Sequence, residues 1–272
     1  MKQRIITAII LGIVAIPVCV FSGTLVFPLV MAFIAFMGVY ELLGCMGTRN
    51  NLLVSIPLYA MAIGVPFLVR YFRAFVFENG LKFIGLLLVY VLYLLAIWIF
   101  SYEKDQTIDM NKFLTSVLVS LYIIGAVASM ILIRDAKSGE VNWYFIFIGA
   151  WVTDTFAYFC GYLFGKHKLM PVVSPKKTIE GSIGGSIFCV VFFVGYGLLM
   201  NYFALANINI GMIALAGLLS AIVSQIGDLS MSVIKRIYGI KDYGKLFPGH
   251  GGILDRFDSI LAVSIVLAFF LA

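Results

Sequence analysis

Charge is scarce in this sequence: Asp, Glu, Lys and Arg make up 12% of its 272 residues, and there are two histidines. So little polar material cannot coat a soluble protein of this size, which excludes an ordinary water-soluble domain. Four cysteines, Cys19, Cys45, Cys160 and Cys189, have no metal-like spacing, and three fall in hydrophobic runs. They point to small apolar packing residues rather than ligands. Period-2 alternation of apolar and polar residues is missing as well, so a membrane β-barrel has no support. Nor is there the internal repeat that marks many transporters.

What is present is hydrocarbon, at 62% hydrophobic residues and a mean hydropathy of +1.08. Runs of about 20 apolar residues recur along the chain, the length that spans a ~30 Å bilayer core. The expected fold is an all-α polytopic integral membrane protein with about nine transmembrane helices, because helices satisfy their own backbone in lipid. They are placed at roughly 5–22, 24–43, 52–72, 81–102, 113–134, 142–165, 179–205, 208–234 and 253–272. The first run is long for a secretory signal and more spans follow, so an uncleaved first helix is expected.

With the N-terminus cytoplasmic, fourteen of the nineteen Lys and Arg, among them Lys2, Arg4 and Lys104, fall inside. Arg70, Arg73, Lys82, Arg134 and Lys137 fall outside, so the positive-inside rule supports that orientation. It puts two polar loops, 165–180 and 235–252, in the cytosol, with the active site facing the cytoplasm. The net charge of +6 suits anionic lipid headgroups or polyphosphates and does not choose between them. Residues 1–140 read as N-terminal transmembrane helices. Residues 141–272 carry acids inside helices, both histidines and the Gly/Pro-bearing basic loops, and read as the catalytic half.

An acid kept at the edge of a hydrophobic segment is expensive and marks a candidate site. Asp255 and Asp258 stand at i and i+3 at the start of the last helix, on one face. Asp228 lies near the matching end of the preceding antiparallel helix. Any one of these acids is explained by an ion pair with Arg256, Lys235 or Arg236. Three together beside a glycine turn point to a hard cation, Mg²⁺, shared with phosphate. The turn Pro248-Gly249-His250-Gly251-Gly252 offers a backbone concavity for phosphate at a helix start. Lys235, Arg236 and Lys241 supply charge, while Lys245 reads as a membrane-flank residue.

In the other loop, Ser174 is expected as an N-cap and Pro175 as the first helical residue, with Lys176, Lys177 and Thr178 in the first turn. His167 and Lys168 read as solvated loop residues. Asp154, about 16 Å along its helix from the cytosolic end, requires a polar partner or a wet cavity. Glu41 reads as a flank residue.

The run from Ser232 through Ile234-Lys235-Arg236 and Lys241-Asp242-x-Gly244 to Phe247-Pro248-x-His250-Gly251-Gly252-Ile253-x-Asp255-Arg256-x-Asp258 resembles the signature of the phosphatidate cytidylyltransferases, also called CDP-diacylglycerol synthases. The stretch Gly227 to Ser230, the loop Ser174 to Gly181 and the pair Asp154-Thr155 also resemble that family. Two departures stand out: Met231 where a Glu is common, and Tyr243 where a small polar residue is common. Any role of that Glu cannot be carried over.

The resemblance implies a Mg²⁺-dependent nucleotidyltransferase of phospholipid biosynthesis that converts CTP and phosphatidate to CDP-diacylglycerol and pyrophosphate. Asp228, Asp255 and Asp258 would then hold the metal and, with Lys235 and Arg236, form the catalytic set. Ser174, Lys177, Thr178, Ser232, Lys241, His250, Gly251, Gly252, Arg256 and Asp154 would bind substrate. The expected partners are both substrates, the bilayer and a second copy as a homodimer, with no nucleic acid. The expected location is a bacterial inner membrane. The alternatives are a CTP-dependent polyprenol or phytol kinase and a membrane transporter. The DGxxAR pattern of CDP-alcohol phosphotransferases is absent.

Overall fold

The computed structural model describes residue 13 and residues 16–73, 89–93, 95–97, 99 and 109–272. The helices expected at 5–22 and 81–102 fall largely outside the described residues, as do Lys2, Arg4, Lys82 and Lys104. The others are present as nine helical pieces: α1 Val26–Met46, α2 Leu52–Tyr71, α3 Met110–Asp135, α4 Gly139–Asn142, α5 Tyr144–Phe147, α6 Thr153–Phe164, α7 Ile179–Tyr202, α8 Ile210–Ile237 and α9 Leu254–Leu271. Among the described residues, six helical stretches are long and apolar enough to cross a membrane, with α4 to α6 acting as one. α9 falls outside that six because its first five residues carry three charges, Asp255, Arg256 and Asp258. The protein is an all-α integral membrane protein.

The chain divides into two compact units. One comprises the described residues of Met1–Ile131 together with Tyr243–Ile253, and the other Leu132–Asp242 with Leu254–Ala272. In the first unit, α1 packs on α2. Gly47, at φ 72°, ends α1, its N–H meeting the carbonyls of Gly44 and Leu43. Arg49 then folds back over Tyr40, 3.7 Å from the ring centroid, and donates to the Tyr40 hydroxyl and carbonyl at 3.1 Å each. Ser116 of α3 meets Thr48 Oγ1 at 3.1 Å.

In the second unit, α6 packs on α7, α7 on α8 and α8 on α9. Small residues set the α6–α7 spacing, since a Cβ on Gly185 would lie 2.7 Å from the Thr153 carbonyl oxygen. The Phe156 and Phe188 rings stack beside that seam at 4.0 Å. The single helix expected over 142–165 contains a π-helical turn, Ile148–Val152. Here Gly149 lets the chain approach Ser220 of α8 and Val263 of α9. Such a turn shifts the helical face by one residue and so re-aims everything in α6.

Residues 165–180 depart from the expected helix start. Lys168–Met170 (β1) and Ser174–Thr178 (β2) form an antiparallel hairpin, with Lys168 opposite Thr178 and Met170 opposite Ser174. Ser174 is therefore not an N-cap, and Lys176, Lys177 and Thr178 are not in a first helical turn. The cap is Thr178, extended at φ −124° and ψ 155°, whose Oγ1 accepts the Gly181 N–H at 3.1 Å. Ile179 N–H donates to the His167 carbonyl at 3.0 Å, so the hairpin base holds the chain extended up to the cap.

Candidate active site

Within the second unit a cavity of about 720 Å³ opens among α6, the hairpin, α8 and α9. α6 contributes Asp154; β2 contributes Ser174, Lys177 and Thr178; α8 contributes Asp228 and Lys235; α9 contributes Asp255, Arg256 and Asp258. Nine of the expected site residues thus share one wall. Ser232, Arg236 and Lys241 are not among its lining residues. Arg236 instead donates from Nε to the Val173 carbonyl at 3.3 Å, tying the end of α8 to the hairpin tip.

The acids are spoken for in pairs. Lys235 Nζ lies 2.9 Å from Asp255 Oδ1, and Lys177 Nζ pairs with Asp228. Asp154 Oδ2 accepts the Ser259 hydroxyl at 3.1 Å, and Asp258 Oδ1 accepts the Ser259 N–H at 2.8 Å. The Ser259 side chain and backbone thereby link the acid of α6 to the second acid of α9. Asp258 also lies within electrostatic reach of Asp228, Asp154 and Lys235. Among the described residues, no three His, Cys, Asp or Glu side chains converge as a closed metal cage.

The cavity recruits residues that the sequence reading passed over. Lys168, taken as solvated loop, lines it, as do Lys176 and Asp242. Tyr158 and Tyr162 stand one turn apart on α6, on the face that begins at Asp154, with rings stacked at 6.4 Å. That i, i+4, i+8 spacing from Asp154 was the available signal. Gln225, one turn before Asp228, also lines the cavity and donates to the Ala221 carbonyl at 3.1 Å. His167 is a hairpin clasp, its Nδ1 2.6 Å from Glu180 Oε1. Met231, at the position where a Glu was expected by resemblance, is 2% exposed and fills core space in α8.

His250, Gly251 and Gly252 belong to the first unit. The His250 and Gly251 N–H groups both donate to the Phe247 carbonyl, at 2.8 and 3.1 Å, and Phe247 N–H returns a bond to the Gly251 carbonyl at 2.8 Å. Gly249 and Gly251, at φ 77° and 87°, make this tight turn achievable. Two of the donors expected to face a phosphate, the N–H groups of His250 and Gly251, are thus used inside the turn. Glu41, expected at a membrane flank, is 4% exposed and accepts the Ile253 N–H at 3.0 Å. The rule that flagged Asp154, an acid set among apolar neighbours, applied to Glu41 equally.

The Cytidylyltransferase family model matches residues 2–272. The chain is similar to the phosphatidate cytidylyltransferase of Staphylococcus saprophyticus subsp. saprophyticus, 36% identical over 97% of this chain and 96% of that protein. It is also similar to those of Staphylococcus haemolyticus and Staphylococcus aureus strain COL, each at 34% identity with the same coverage. A match over nearly the whole length, on a chain whose acids and lysines line one cavity, makes this protein a member of the cytidylyltransferase family.

Proposed function

We propose that the chain is a phosphatidate cytidylyltransferase working from the cytosolic face of a bacterial cell membrane. A phosphate oxygen of phosphatidate bonds to the α-phosphorus of CTP. The bond from that phosphorus to its bridging oxygen breaks, and the electron pair leaves with pyrophosphate. A phosphate monoester is already nucleophilic near neutral pH, so the protein's tasks are alignment and charge neutralisation.

The observation that carries this reading is the charge balance of the cavity. Five acids, Asp154, Asp228, Asp242, Asp255 and Asp258, face five bases, Lys168, Lys176, Lys177, Lys235 and Arg256. The lining is formally neutral, and two phosphate-bearing substrates bring several negative charges, so a cation has to enter with them. Asp228, Asp255 and Asp258 offer the hard oxygen donors that suit Mg²⁺, which is commonly held by one or two carboxylates plus substrate phosphates rather than by an all-protein cage. Bound there, Mg²⁺ would draw charge from the CTP phosphates and favour departure of pyrophosphate.

Lys177 and Lys235 occupy the carboxylates of Asp228 and Asp255 in this structure. When substrate arrives they turn to phosphate oxygens and free those carboxylates for the cation. Lys168, Lys176 and Arg256 add positive charge along the same wall, where Asp154 is fixed by the Ser259 hydroxyl. Arg236 is assigned to holding the hairpin, and the turn at His250 to Gly252 to backbone geometry.

The N-in arrangement supported by the positive-inside rule puts the loops 165–180 and 235–252 on the nucleotide side. The test is pyrophosphate release by detergent-purified protein, with phosphatidate and each nucleoside triphosphate in turn, with and without Mg²⁺. Release that requires CTP, phosphatidate and Mg²⁺ together is expected. Absence of stimulation by CTP plus phosphatidate overturns the reading.

A further inference from the structure

Glu41 sits in the C-terminal third of α1, in the run Val39-Tyr40-Glu41-Leu42-Leu43, where Val39, Leu42 and Leu43 are fully buried. A carboxylate retained there needs partners, because burying it unsatisfied is costly. One partner is the backbone N–H of Ile253, 212 residues away in the chain and 3% exposed. A charge-assisted bond of this kind is among the stronger ones a backbone N–H makes.

Two glycines of the signature run lie against the same carboxylate. A Cβ added to Gly244 or to Gly252 would land on the Glu41 side chain. Neither glycine has the positive φ that Gly249 and Gly251 adopt. Conformation therefore does not call for glycine at 244 and 252; the Glu41 side chain lies so close to both that it would have to shift to admit a methyl at either. The segment from Tyr243 to Ile253 is thus closed at one end by the Phe247–Gly251 turn and held at the other by a carboxylate from α1.

We infer that Glu41 is a positioning residue for the reaction: it holds the loop Gly244–Ile253 in one conformation by accepting the Ile253 N–H and filling the space left by Gly244 and Gly252. Ile253 is followed directly in the sequence by Leu254 and Asp255, so the backbone that Glu41 holds runs straight into the start of α9. The activity consequence rests on the reading above, while the loop consequence stands without it.

The experiment compares Glu41→Ala, Glu41→Gln and Gly252→Ala in detergent-purified, monodisperse protein by amide hydrogen exchange and CTP-dependent pyrophosphate release. In Glu41→Ala, exchange in peptides covering 244–253 should quicken about tenfold or more, as expected for a lost hydrogen bond to a charged acceptor. Peptides from α7 should be unchanged. kcat should fall by about tenfold with KM for CTP little altered, the pattern of lost positioning rather than lost substrate binding. Glu41→Gln keeps an acceptor oxygen of the same reach without the charge and should recover part of both losses, falling between Glu41→Ala and the wild type. Gly252→Ala should reproduce both losses, which keeps the inference testable if Glu41→Ala does not fold. Unchanged loop exchange in Glu41→Ala or Gly252→Ala overturns the inference. Loosened loop exchange with full activity per folded molecule overturns its catalytic part and leaves the cytidylyl-transfer reading intact. Absence of CTP-dependent release from the wild-type protein strikes that reading instead.

Discussion

Lys235 Nζ and Asp255 Oδ1, 2.9 Å apart, join the last turn of α8 to the first turn of α9 through side chains that are 15% and 2% exposed. A pair this enclosed gains little over apolar packing when intact, yet removing one member leaves the charge of the other unbalanced, at a cost of about 3–5 kcal/mol. Lys235→Met and Asp255→Asn should each lower the unfolding temperature in detergent, and the double variant, with no net buried charge, should recover most of that loss. Neither the single variants nor the double should regain cytidylyl transfer. A double variant that unfolds like the singles, with no coupling in the cycle, would contradict this.

Thr178 caps α7 through its Oγ1 and sits at the base of the hairpin. Thr178→Ala should cost about 1 kcal/mol by leaving a helix-start N–H without its acceptor, whereas Thr178→Ser should be close to neutral. Thermal unfolding of the two variants checks this. If both fall equally, the methyl rather than the hydroxyl carries the effect.

Two glycines on α7 should respond in opposite directions to the same change. Gly185→Ala drives a methyl toward the Thr153 carbonyl oxygen at 2.7 Å, so α6 and α7 must separate, and overpacking of this kind costs about 1–3 kcal/mol. Gly195 has no neighbouring atom within 4 Å of where its Cβ would be, and Gly195→Ala should stabilise the helix by about 0.4–1 kcal/mol. Equal effects in unfolding experiments would mean that the α6–α7 seam has room for a methyl at Gly185, contrary to the 2.7 Å approach.

The parts legible in the sequence were those where the environment makes a residue costly. Asp154, Asp228, Asp255 and Asp258 are carboxylates in hydrocarbon, and the structure gathers all four around one cavity. Glu41 obeys the same physics but reads as a flank residue, because its partner lies 212 residues away and nothing local announces it. Charges in polar loops carry no such signal: Lys168 and Asp242 line the cavity, while Lys241 does not. Ser174-Pro175 imitates a helix start, and the competing Thr178, placed just before the apolar run at Ile179, is the cap that forms. The π-helical turn at Ile148–Val152 leaves the hydrophobic run unbroken, so composition gives no sign of the one-residue shift in facing.

On the proposed reaction, the cytidylyl group of CTP moves, with its α-phosphorus, to phosphatidate in the cavity lined by Asp228, Asp255 and Asp258. This transfer is tested most directly by supplying CTP labelled at either the α- or the γ-phosphorus and measuring label in the extracted lipid. The expected result is α-label in lipid and γ-label in pyrophosphate, with neither product formed by Asp258→Asn protein of unchanged monodispersity. Label from the γ-position in the lipid, or full transfer by Asp258→Asn, would contradict it.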